Sequence, residues 1–81
     1  MTKPIKNTAV SGNNSLEVQL NGETRTCPAG LAVYSALTHW NLNPRLVAVE
    51  YNGEILHRQF WETTLVQTGD RFEVVTIVGG G

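Results

Sequence analysis

The dipeptide Asn-Gly occurs twice, at Asn21-Gly22 and Asn52-Gly53, each time between two short runs that can alternate across a strand. A two-residue hairpin turn needs positive φ at both central positions, and asparagine followed by glycine meets that need at the least steric cost. Each pair therefore predicts a hairpin. Before the first, "LEVQL" puts Leu16, Val18 and Leu20 on one face with Glu17 and Gln19 on the other, and "ETRTC" returns as a threonine-rich strand. Around the second, "LVAVEY" and "EILH" repeat the arrangement.

Between the hairpins lies one helical stripe. Pro28 and Gly30 close the first hairpin, and in "LAVYSALTHW" the residues Val33, Ala36, Leu37 and Trp40 fall at i, i+3, i+4 and i+7. Ala29 and Gly30 are the candidate N-caps, both weak, and "NLNP" is expected to end the helix because Pro44 cannot continue it. "RQFWETTLV" has no period of two, so an irregular stretch with one helical turn is expected, holding Phe60 and Trp61 at the core edge. "QTGD" is a turn by composition. "RFEVVTIV" is apolar on both faces, the mark of a strand at the centre of a sheet.

The order β, β, α, β, β, short turn, β leaves few topologies. If the last strand pairs in parallel with the first, the helix covers one face and both hairpins lie outermost. That is an α+β fold, the β-grasp (ubiquitin-like) roll: a mixed sheet of about five strands with one main helix packed on one face. At 81 residues and 41% hydrophobic content the chain makes one domain, burying about 60% of its unfolded surface. Residues 1–14, "MTKPIKNTAVSGNN", are polar and aperiodic and read as a flexible extension; 15–78 form the domain, and 79–81 a flexible tail.

Charge and cysteine content narrow the partners. Residues 15–81 carry four arginines against seven acids, a balance of −3, so no basic field exists to draw nucleic acid or an anionic membrane. One cysteine, Cys27, makes no internal disulfide, which suits a reducing compartment. No segment has the length and apolarity of a membrane span or signal peptide, and a cytoplasmic location is expected. His39 and His57 lie without the cysteine or carboxylate spacing of a metal site, and Cys27 reads as a packing residue rather than a nucleophile. No catalytic residue and no metal site are assigned.

From about Leu16 onward the sequence resembles the thiamin-biosynthesis sulfur-carrier family (ThiS-type, ubiquitin-like). "VAVEYNGEIL", the arginine and tryptophan of "RQFW" and "TGDRFEVVTIVGGG" carry the resemblance, and the last is its most specific part. The resemblance implies a protein cosubstrate, not an enzyme. Its terminal glycine, here Gly81, would be adenylated by an E1-like activating enzyme that consumes ATP, then converted to a thiocarboxylate with sulfur from a donor protein. Thiazole synthase would take that sulfur for the thiazole ring. The carrier itself binds no cofactor, and as a visitor to two enzymes in turn it is expected to be a monomer when free.

The tail fits such chemistry on physical grounds. A carboxylate is an anion at neutral pH and a poor electrophile until it is converted to an anhydride. Gly79, Gly80 and Gly81, fully extended, reach about 10 Å and carry no Cβ atoms to obstruct a narrow channel. Gly79 and Gly80 would be the stem and Gly81 the acyl carrier. A glycine end also has plainer readings as a fraying terminus, a linker remnant or a cloning scar.

Strand alternation proposes a docking surface beside the tail. Phe72, Val74 and Thr76 point toward the helix, leaving Val75 and Ile77 on the open face as partner-binding candidates. The competing reading has the N-terminal extension covering them. Two further functions stay open: a carrier of the type that forms the small subunit of molybdopterin synthase, which shares the fold and a diglycine end, and a non-covalent ubiquitin-like interaction module.

Overall fold

The computed structural model of the chain describes residues 14–77. Strand β1 (Ser15–Leu20) turns at Asn21-Gly22 into β2 (Glu23–Pro28); helix α1 (Val33–His39) follows, then a 3₁₀ turn (Pro44–Leu46). Strand β3 (Val47–Tyr51) turns at Asn52-Gly53 into the two-residue β4 (Glu54–Ile55), and a second 3₁₀ turn (Arg58–Phe60) leads toward β5 (Arg71–Thr76). The five strands form one sheet in the order β2-β1-β5-β3-β4. β5 lies at its centre, parallel to β1 and antiparallel to β3. This is the β-grasp roll, with both hairpins outermost.

Both turns adopt the expected backbone. Asn21 and Gly22 have φ of 52° and 83°, and Asn52 and Gly53 have 53° and 91°. The asparagine side chains do more than tolerate these angles, because each reaches across to the last strand. Asn21 Oδ1 accepts from the Val74 N–H at 2.8 Å while its Nδ2 donates to the Val74 carbonyl at 3.1 Å. Asn52 Oδ1 accepts from the Arg71 N–H at 2.8 Å, and its Nδ2 donates to Asp70 Oδ1 at 3.1 Å. β1 stops at Leu20, opposite Phe72, so the Asn21 amide supplies partners that β1 is too short to offer.

The core is the contact between α1 and the inner sheet face. Val33, Ala36 and Leu37 are fully buried, with Trp40 closing the stripe, and they meet Val18, Leu20, Val47, Val49, Phe72 and Val74. Each large side chain contributes about 1.5 to 3 kcal/mol by leaving water. Phe72 lies at the middle, with the Trp40 and Tyr51 rings each 5.2 Å away in edge-on or tilted geometry. The buried indole N–H groups are satisfied, Trp40 by the Thr26 carbonyl at 3.0 Å and Trp61 by the Leu56 carbonyl at 2.9 Å.

Several boundaries differ from the sequence expectation, each for a tertiary reason. The helix N-cap is Ala32, later than Ala29 or Gly30, and it lacks any side-chain hydrogen bond. The loop 61–64 caps it instead: the Val33 and Tyr34 N–H groups donate to the carbonyls of Thr64 and Trp61. At the other end Asn41, at φ 64°, turns the backbone before Pro44 is reached, and the Leu42 N–H closes onto the Leu37 carbonyl at 2.9 Å. Phe60 is exposed whereas Trp61 is buried, because a single 3₁₀ turn can send only one of two adjacent rings inward. Thr76 shares the inner face with Val47 yet is exposed at the strand's end. Among the described residues no helix is long and apolar enough to cross a membrane.

Candidate functional site

The site is the sheet face away from α1 and the end of β5 at Thr76 and Ile77. Cross-strand register sets Ala48 opposite Val75, Glu50 opposite Glu73, and Ile55 opposite Glu50, all on the face away from α1. Val75 is 62% exposed, Ile77 47% and Ile55 69%, so the apolar residues named from alternation do stand on the surface. Ala48, Val49, Glu50, Ile55, Glu73 and Val75 line a shallow groove of about 260 Å³. Its apolar floor carries two carboxylates at one end.

Sequence reasoning named Val75 and Ile77 but missed Ala48 and Ile55. The signal was available in the hairpin register: with Asn52-Gly53 fixed as the turn, Ile55 must fall opposite Glu50 and share its outward face. A strand read as "EILH" obscured this, since β4 ends at Ile55 and Leu56 is drawn inward, its N–H donating to the Val49 carbonyl at 3.0 Å.

The exit of the last strand is held by backbone bonds. The Ile77 N–H donates to the Leu46 carbonyl at 2.6 Å, extending the β3–β5 ladder one residue past the strand. Leu46 closes the 3₁₀ turn that begins at Pro44, and the Pro44 carbonyl accepts from Arg58 Nη1. The same guanidinium lies 4.7 Å from the Trp61 ring centroid, a cation–π contact. Ile77, Arg58, His57 and Trp61 thus border one groove of about 220 Å³ next to the exit. The remaining sequence-assigned residues, Gly79, Gly80 and Gly81, lie outside the described residues.

Glu50 and Glu73 face one another across the strands, with Arg71 lining the same surface, and among the described residues neither makes an ion pair within 4 Å; the pair that does is Glu23 with Arg25, at 3.9 Å on the far hairpin. Like charges directly opposed in a sheet are destabilising.

Other reactive groups do not join this face. Cys27 is buried, and burial, assisted by the Asp70 charge, pushes its thiol pKa up, the opposite of what a thiolate nucleophile requires. His39 and His57 are both exposed. Among the described residues no group of three or more His, Cys, Asp or Glu residues could hold a metal ion.

Comparison with known proteins gives this geometry a context. A family model described as the ThiS family matches residues 18–81. The chain is 35% identical over 66 residues to a thiazole synthase of Paramagnetospirillum magneticum, covering 82% of this chain and 20% of that protein. It is 26% identical over 66 residues to the sulfur carrier protein ThiS of Escherichia coli, covering 82% of this chain and 100% of that one. The crystal structure of the thiamine biosynthesis protein ThiS from Geobacter metallireducens matches with a TM-score of 0.69 and 32% identity, covering 82% of this chain and all of that one.

Proposed function

We propose, from the premise that this chain belongs to the ThiS family, that it carries sulfur for thiamin thiazole synthesis on the carboxylate of Gly81. The observation that carries the reading is the family match itself, which runs from Val18 through the final glycine rather than stopping at the sheet. The protein is a small ThiS-type carrier rather than an enzyme.

A carboxylate oxygen of Gly81 attacks the α-phosphorus of ATP on an E1-like adenylating enzyme, and pyrophosphate leaves. The acyl adenylate now has AMP as a leaving group, so the terminal sulfur of a donor protein's persulfide displaces it at the carbonyl carbon, and a second thiol then attacks the donor sulfur of the acyl disulfide, forming a disulfide with the donor and releasing the thiocarboxylate. The resulting thiocarboxylate passes its sulfur to thiazole synthase. A relative named thiazole synthase has a stretch similar to this chain within its own polypeptide, which supports a partnership between the two activities. Val75 and Ile77, with Ala48 and Ile55, are the proposed footprint of the adenylating enzyme, and Gly79 and Gly80 the stem that reaches its active site.

The test is incubation of the protein with ATP, an adenylating enzyme and a sulfur donor, reading pyrophosphate release and the intact mass. The expected result is pyrophosphate formed in proportion to carrier, and one oxygen replaced by sulfur at Gly81. A variant lacking Gly81 should give neither. Absence of both products with the full-length protein, together with intact cellular thiamin synthesis when Gly81 is deleted, overturns the reading.

A further inference from the structure

The glycine that each turn requires has a chemical consequence for the asparagine before it, and these are the only Asn-Gly pairs in the sequence. We propose that Asn21 and Asn52 are deamidation sites, kept unreacted by the hydrogen bonds through which they hold β5, and that conversion of either one irreversibly loosens that strand.

The chemistry is intramolecular. The backbone nitrogen of Gly22 attacks Cγ of Asn21; a new C–N bond closes a five-membered succinimide, the Cγ–Nδ2 bond breaks, and ammonia leaves. Water then adds to one of the two ring carbonyls and reopens the ring to aspartate or isoaspartate. Gly53 acts likewise on Asn52. Glycine permits the attack because no Cβ shields its nitrogen or limits its φ.

The native contacts oppose ring closure. Asn21 Cγ must swing back toward Gly22, and that swing requires both bonds to Val74, at 2.8 and 3.1 Å, to break. At Asn52 the bonds to the Arg71 N–H and to Asp70 Oδ1 must break in the same way. Reaction is therefore confined to molecules in which this edge of β5 has opened. The product can restore only the accepting half of each pair. A carboxylate is an acceptor only, so at position 21 it would face the Val74 carbonyl, and at position 52 it would face a second carboxylate, that of Asp70. Isoaspartate also adds a backbone atom to a turn whose register allows two residues.

Asn41 is an internal control. It too is exposed with positive φ, at 64°, but Leu42 follows it in place of glycine.

The experiment incubates the full-length protein in mildly alkaline buffer, native and in denaturant, and maps conversion by peptide mass and isoaspartyl methyl transfer. Asn21 and Asn52 should convert at least about tenfold faster in denaturant, a ratio that reports the population of the opened strand, while Asn41 converts in neither. The refolded deamidated protein, and separately N21D and N52D, should exchange the Val74 and Arg71 amides faster and melt at lower temperature. Equal conversion rates in the native and denatured states overturn the proposal, as does a deamidated protein whose Val74 and Arg71 amides are protected as before. The rate comparison uses the unaltered protein, so it stands even if a variant fails to fold.

Discussion

At the scale of single residues, the buried carboxylate of Asp70 shows how a position read only as part of a turn becomes a structural centre. It accepts from the Tyr51 hydroxyl at 2.5 Å, the Gln67 N–H at 2.7 Å and the Asn52 amide at 3.1 Å. Burial first, then the hydrogen bond to Asp70 and its charge, push the Tyr51 phenol well above its ordinary value. Between about pH 10, where the unfolded tyrosine titrates, and that higher folded value, the native state keeps a proton the unfolded state has lost. This contribution is therefore full below about pH 10 and falls above it. Cys27, raised from 9.0, adds a loss of the same sign that begins lower. In denaturant titrations Tyr51→Phe should cost about 1 to 3 kcal/mol near neutral pH by leaving Asp70 short of a donor, yet show a shallower alkaline decline than the parent. An equally steep decline would remove Tyr51 as its source. Leu37, with no exposed surface, is a simpler case: Leu37→Ala should cost about 2 to 5 kcal/mol by equilibrium unfolding.

At the scale of elements, ends proved harder to read than faces. Periodicity correctly set Val33, Ala36, Leu37 and Trp40 on one stripe, because burial of that stripe depends only on helical spacing. Where the helix starts depends on which groups satisfy its first N–H donors, and Thr64 and Trp61, which do so, are distant in sequence. The same dependence governs the exit of β5, where Arg58 holds the Pro44 carbonyl and Leu46 holds Ile77. Arg58→Ala should cost about 1 kcal/mol through the lost contact with Trp61 and the lost hydrogen bond. Amide exchange should localise the effect: Ile77 should lose protection while Val18, in the first hairpin and outside the groove that Arg58 borders, keeps its own. Uniform loss across the sheet would mean that Arg58 supports the core as a whole rather than the exit.

At the scale of the whole molecule, the two sheet faces differ: α1 closes one, and among the described residues no element packs on the other. Replacing Val75, which is exposed, by lysine should change stability by no more than about 0.5 kcal/mol. In steady-state adenylation assays the same Val75→Lys variant should raise KM about tenfold, as expected for loss of a packed contact of moderate strength. Equal loss of stability and of adenylation would show that Val75 serves the sheet and not a partner. The two hairpins, the helix stripe, the central strand and hence the topology are legible from residue order, because Asn-Gly turns and hydrophobic periods are local and short connections admit few arrangements. Residue order also marks Val75 and Ile77 as outward, since alternation within one strand needs no knowledge of the others. That Asn21 and Asn52 grip β5, that Asp70 gathers three donors, and that Ala48 and Ile55 join Val75 in one groove emerges from the folded chain. Those contacts join residues far apart in sequence, and their partners exist only once the strands are in register.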